Sequence, residues 1–238
     1  HGSLWGVWWI QWLSLAGAAI LGYVVLSQAF GHGTAVFASL AWLTSLVFIL
    51  DGGNFTEEYA LPFQFAALYL FWKSRKSSRP LGYAFMIGVT LAAVFWLKLN
   101  MIGVQLSIAV VAVVSMILSP DRRKVLTWIM ALFAGVMAVT IPLLVYFAWN
   151  GAWNEFVDAA FRYNFIYTTS TLENKVKSAL AGLQFLAQSS IAFTAVTAWI
   201  IGGLALFSKP RQTGAHTPLL QVALVGLPVE LLLASTSG

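Results

Sequence analysis

The stretch Asp51-Gly-Gly-Asn-Phe-Thr-Glu-Glu-Tyr-Ala-Leu-Pro-Phe63 gathers Asp51, Glu57 and Glu58 into one connection of a chain that has only 8 Asp and Glu. Such a concentration of carboxylates in a chain so poor in charge marks this connection as the first place to look for chemistry. Gly52 and Gly53 permit a tight turn with positive φ. Thr56 is placed to cap a helix, which puts Glu57 and Glu58 in its first turn, where the macrodipole favours negative charge. Capping alone does not require so many acids in one place, and acids held near a membrane are costly. Asn54-Phe55-Thr56 also matches a glycosylation sequon, a common pattern of low information.

Lys98, with Asn100, lies between two apolar runs, where an ammonium needs an anion, carbonyls or water. A phosphate would satisfy it, and so would snorkelling to lipid headgroups. Arg162 follows Asp158 by four residues, the spacing of a surface helical pair. Glu230 comes after Pro228 toward the end of the last apolar run, where an interfacial position and a pathway role both fit. His1, His32 and His216 are scattered without HExxH spacing, and no GxSxG, Walker A or dinucleotide fingerprint occurs. Zinc hydrolysis of the HExxH kind and soluble-type nucleotide chemistry are therefore not expected. No metal site is named and no cofactor is expected, while a divalent metal stays open. The absence of cysteine removes disulfides and thiolate chemistry.

The elements that must hold these residues are apolar. Hydrophobic residues make up 60% of 238 positions and charged ones 9%, against roughly a quarter charged in a soluble domain. Lipid is the solvent such a chain needs, and the expected fold class is an all-α polytopic transmembrane bundle forming a single domain, 1–238. About eight hydrophobic segments stand out, at 4–30, 35–50, 58–72, 81–97, 101–118, 125–149, 183–207 and 218–233. The gap between the fourth and fifth is so short that it reads as a tight hairpin or a broken helix.

Charge sets the expected orientation. Lys73, Arg75, Lys76 and Arg79 share one loop, Arg122, Arg123 and Lys124 the next, and Lys209 and Arg211 a third, all on one side. The positive-inside rule makes that side cytoplasmic. Asp51, Glu57, Glu58, the Lys98 turn and the connection 150–182 then lie outside. Within that connection Trp153, Phe156, Val157, Ala160, Phe161 and Phe165 recur at helical spacing opposite Asn154, Glu155, Asp158 and Arg162, as in an amphipathic helix lying in the interface. Trp5, Trp8, Trp9, Trp12, Trp149 and Trp153 suit aromatic belts. The net charge of +5 thus speaks for topology, and nucleic acid is not an expected partner.

Gly52-Gly-Asn-Phe-Thr-Glu-Glu-Tyr-Ala-Leu-Pro-Phe63, followed by a basic loop and by Phe95-Trp-Leu-Lys-Leu-Asn-Met101, resembles bacterial membrane glycosyltransferases of the GT-C class. Within that class it resembles the family-39-like proteins related to protein O-mannosyltransferases and aminoarabinose transferases. His1-Gly2 is similar to the family's HxGP-type helix entry, with Ser3 where Pro is usual. Ser237-Gly238 is similar to the start of an SGR-x-Y-x-HY segment, and Arg162-Tyr-Asn-Phe-Ile-Tyr167 to the outer amphipathic region. Lys98-Leu99-Asn100 stands where a turn more like Arg-Pro-Asn is usual.

The resemblance implies an integral, multi-pass protein of the bacterial cytoplasmic membrane. It implies transfer of a sugar from a polyprenyl-phosphate donor to a glycan, lipid or protein acceptor on the extracytoplasmic face. Glu57, Glu58 and Asp51 would be catalytic acids. Lys98, Asn100, Asn54, Arg162, Asn164 and Tyr167 would meet the lipid phosphate or substrate. The family's principal catalytic Asp would lie upstream of His1. The chain starts without Met and stops directly after an apolar run, so both ends are expected to be truncated and the fragment to be inactive alone. The competing expectation is a polytopic transporter or a protein that binds or flips a lipid-linked substrate, with its site at the helix interruption.

Overall fold

The computed structural model describes residues 5–49, 54–118, 123–162, 176–177, 180–181, 184, 190–208 and 217–235. Its regular elements are all helical: α1 Trp5–Phe30, α2 His32–Ile49, α3 Thr56–Ser74, α4 Pro80–Leu97, α5 Gly103–Ile117, α6 Arg123–Trp149, α7 Trp153–Val157, α8 Ser190–Ser208 and α9 Thr217–Ser235. Two short pieces complete them, a 3-10 turn at Leu99–Met101 and a π-helical turn at Asp158–Arg162 that continues α7. Each expected apolar segment contains a helix. α3 runs two residues past its apolar run at either end, and α2 starts at His32 because Gly31, at φ 92°, turns the chain directly from α1 into it.

Trp5–Phe30, Pro80–Leu97 and Lys124–Trp149 are long and apolar enough to cross a membrane, while Gly103–Ile117, Thr194–Leu206 and Thr217–Leu233 are shorter apolar helices. The 26 residues of α1 reach about 39 Å at ~1.5 Å each, beyond the ~30 Å of a hydrocarbon core. The distribution of side chains is inverted relative to a water-soluble protein. Ile20, Phe37, Leu40, Met130, Phe133 and Ile141 face outward, whereas Gln11, Glu58, Gln64, Gln105 and Ser107 are buried. Apolar surface this extensive is tolerable only against another apolar medium or a partner.

Between helices in lipid there is little hydrophobic drive, so close contact depends on small residues. Gly88 of α4 and Gly135 of α6 supply it. A Cβ on Gly88 would stand 2.0 Å from the Leu132 carbonyl oxygen, and one on Gly135 would stand 1.9 Å from that of Phe85. The two backbones touch there. α3 packs between α1 and α4, with Phe65 seated on Gly22, and α5 packs along α9, with Ser107 against Gly226. Ala67, Phe71, Ile87, Ile108, Val111 and Trp128 join α3, α4, α5 and α6 in the main core. Pro228 inside α9 cannot bond the Leu224 carbonyl, and Trp199 of α8 donates its indole N–H to that oxygen at 3.2 Å.

The α2–α3 connection departs from expectation at its helix start. Phe55, not Thr56, is the N-cap, because the Glu58 carboxylate reaches back to accept the Phe55 N–H at 3.0 Å. Half of a capping box thus forms without a hydroxyl. The positive φ expected of Gly52 and Gly53 falls on residues outside those described, and Asn54 adopts φ 69°.

Two outcomes are expected. Gly135→Val should separate α4 from α6 and cost about 3 kcal/mol or prevent folding altogether, read as thermal unfolding in detergent. An unchanged midpoint would show that the crossing is not close. Single cysteines at Ser77 and Asn54 should react with an impermeant maleimide from opposite sides of a vesicle, and same-side labelling would overturn the assigned topology.

Candidate functional site

The chemistry collects where α4 stops. Lys98 ends that helix in extended backbone, φ −162° and ψ 105°, and the chain makes one 3-10 turn before α5 starts at Gly103. The turn reverses direction: Lys98 lies level with the start of α3, Met101 level with Gln64, and Ile108 already in the core beside Phe71. An interruption of this kind leaves carbonyls and amides without helical partners, which hydrocarbon cannot supply.

Side chains from other helices meet three of these needs. The Lys98 ammonium is ion-paired with Glu57 of α3. The Met101 carbonyl oxygen accepts from Gln64 Nε2 at 2.7 Å. Glu230 of α9 lies over Gly103, where a Cβ would meet its carboxyl carbon at 2.4 Å, and accepts the Val104 N–H at 3.1 Å. Gly103 is therefore required as glycine for a packing reason, and a carboxylate on the first amides of α5 also complements that helix's dipole. The ion pair itself is half-open, with Lys98 33% and Glu57 38% exposed. Solvent screening at that exposure holds its contribution near the surface range of ~0.2–1 kcal/mol.

An apolar cleft of about 510 Å³ adjoins the turn. Its walls include Phe95 and Trp96 of α4, Ile102 and Leu106 beside the turn, Met137 of α6, and Phe156 of α7. α7 forms one side because Gly151, at φ 67°, folds the chain back from the end of α6. Phe156 stacks on Phe147 at 4.5 Å and lies 5.3 Å from Trp96, whose indole donates to Thr140 Oγ1 at 3.1 Å. Asn154, Glu155, Asp158 and Arg162 point away from the cleft into the exposed face. Over 153–162 the polar residues of the pattern face outward and Trp153, Phe156, Val157 and Phe161 line the cleft, on one short α-helix followed by a π-helical turn, and the rest of 150–182 lies mostly outside the described residues.

The sequence candidates separate into groups. Glu57 and Lys98 come together across 41 residues. Glu58 is fully buried, with one carboxylate oxygen on the Phe55 amide and the other without a hydrogen-bond partner among the described residues. Asn100 is carried on the turn itself. Asn54 accepts from the Tyr59 hydroxyl at 2.7 Å, a contact that ties the loop to α3. Arg162 pairs with Asp158 at 3.2 Å, one turn back on an exposed face. Asp51, Asn164 and Tyr167 lie outside the described residues.

Gln64 and Gln105 were not among those candidates. Gln105, 1% exposed, has neither amide atom hydrogen-bonded among the described residues. Glutamines inside otherwise apolar runs were the available signal, since polar groups at that depth tend to face a protein interior.

No protein-family model, no curated protein and no solved structure matches this chain.

A double-mutant cycle on Glu57→Gln and Lys98→Met should give a coupling of about 0.5 kcal/mol in detergent unfolding. Glu230→Ala should cost more, about 1–3 kcal/mol, by stranding the Val104 amide, with Glu230→Gln recovering most of it. Equal losses for Ala and Gln would mean that packing over Gly103, and not the hydrogen bond, holds α5 in place.

Proposed function

We propose that the bundle serves sugar transfer of the GT-C kind, from a polyprenyl-phosphate donor to a glycan, lipid or protein acceptor. The protein would be multi-pass in a bacterial cytoplasmic membrane, with its basic loops cytoplasmic and the Lys98 turn on the extracytoplasmic face. The observation that carries this reading is the shared position of a charged pair and an apolar cleft. Trp96 and Ile102 line the cleft, and Lys98 lies between them in the chain. A polyprenyl phosphate has the same two-part build, a long apolar chain ending in an anion.

The chemistry follows from the pair. A donor phosphate arriving at Lys98 displaces Glu57, which leaves that carboxylate able to accept a proton. Glu57 takes the proton of the acceptor hydroxyl as its oxygen bonds to the anomeric carbon. The bond from that carbon to the phosphate oxygen breaks, and the phosphate departs with the electron pair. Charge growing on it is offset by the ammonium of Lys98, which Glu57 has released. Asp51, Asn54, Asn100, Arg162, Asn164 and Tyr167 belong to this reading by resemblance only.

A transport reading draws on Gln105, buried just past the same turn with no amide partner among the described residues, since polar side chains inside an apolar bundle also line substrate pathways.

Polyprenyl phosphate, added to the protein in detergent, is the discriminating probe. Lys98→Met should weaken its binding about tenfold, the loss of one charge-assisted contact. In the full-length protein Glu57→Gln should retain binding yet lower sugar transfer from a polyprenyl-phosphate sugar by about 10²-fold or more. Unchanged binding in Lys98→Met would sink the reading. Movement of the lipid across a vesicle without any sugar transfer would favour transport.

A further inference from the structure

The opposite end of the bundle carries a second site. Trp72, the last buried residue of α3, is 5% exposed and packs with Val25 of α1 and Leu219 of α9. Its indole N–H is buried and has no acceptor among the described residues. That group can only donate, and a buried donor left unmet costs about 1–3 kcal/mol. Two ammonium groups stand over the same ring, Lys76 Nζ at 4.2 Å from its centroid and Lys73 Nζ at 5.5 Å. Leu219 is the third residue of α9, so the first turn of that helix, with amides its own backbone does not use, lies beside the indole. Arg75 and Arg79 follow in the same loop. No carboxylate occurs in the facing ends of α1, α2, α3, α4 or α9: 24–36, 68–83 and 217–221 contain none.

An unmet indole N–H and a group of cations with no carboxylate beside them call for an anion with several acceptor oxygens. We propose that the corner binds the phosphate of an anionic membrane lipid headgroup. A lipid is favoured over free phosphate by the walls. Val25, Leu68, Ala29, Phe30 and Leu219 make the inner side apolar, so acyl chains gain contact there that offsets part of the headgroup's dehydration, and a free phosphate gains none. Cation–π contact holds both ammonium groups at that apolar edge in advance. A diffuse attraction of basic loops to an acidic surface needs none of this, because it is indifferent to an indole N–H.

This difference supplies the test. The whole chain, in nanodiscs of phosphatidylcholine, is titrated with phosphatidylglycerol and bound lipid is counted by native mass spectrometry. Lys73→Gln with Lys76→Gln should lower phosphatidylglycerol affinity about 25-fold, near fivefold for each charge. Trp72→Phe, which keeps the ring and removes the N–H, should lower it about tenfold. Lys124→Gln, on the neighbouring basic loop, should leave it within twofold. Wild-type affinity in Trp72→Phe, or an equal loss in Lys124→Gln, would overturn a built site in favour of general surface charge. Inorganic phosphate binding at micromolar concentration with the same variant dependence, while phosphatidylglycerol fails to bind, would overturn the lipid as its source.

Discussion

A tight hairpin between two apolar helices, in a bundle with so little charge, leaves backbone groups that lipid cannot satisfy, and the Lys98 end of this protein is arranged around that constraint. The break from Lys98 to Ile102 presents an ammonium, a carbonyl without a helical partner and the first amides of α5. Glu57 meets the first, Gln64 the second and Glu230 the third. Glu57 and Gln64 are separated by seven residues, two helical turns, so both fall on one face of α3. Glu230 reaches the break because α9 runs antiparallel along α5, with Gly226 against Ser107 one turn further down. An apolar substitution at Gln64 or Glu230 would strand a backbone group at a cost of about 1–3 kcal/mol, whereas the partly exposed Lys98–Glu57 pair contributes less.

The same break makes a place where apolar and polar recognition adjoin. Ending α4 at Leu97 leaves Phe95 and Trp96 on one side of the turn and Ile102 on the other, and α7 closes the space against α6 through Phe147 and Phe156. The cleft and the ion pair are therefore products of one event in the backbone. The tight crossing of α4 and α6 at Gly88 and Gly135 fixes a wall of this cleft from below. The two ends of the bundle differ in chemistry: the end at the Lys98 turn mixes carboxylates and cations, whereas the described residues at the Trp72 end include cations and an unmet donor but no carboxylate.

Much of the framework was legible in the chain before any coordinates. Apolar runs located every membrane-length helix, because a segment solvated by lipid must satisfy its own backbone and so must be helical. The alternation of basic loops placed Glu57 and Lys98 on the same side, and the amphipathic pattern of Trp153, Phe156 and Phe161 marked α7. Reading Thr56 as the cap failed because a hydroxyl is the commoner solution, while here Glu58 caps from inside the helix. Gly103 and Glu230 gave no local sign of their contact, since 126 residues separate Val104 from Glu230.

Composition by itself pointed to apolar helices, three of them long enough to span a membrane, and to the few charged residues that need partners, because those follow from transfer free energies that do not depend on neighbours. Tertiary structure decided which partner each one found. Lys98 had an anion, carbonyls or water open to it, and packing of α3 against α4 brought Glu57 to it. Arg162 kept the nearest acid on its own helix because α7 faces Asp158 and Arg162 outward. Pairing between helices depends on rotation and register, which the close approach of Gly88 to Gly135 and of Gly103 to Glu230 sets, and a linear pattern of residue types carries neither.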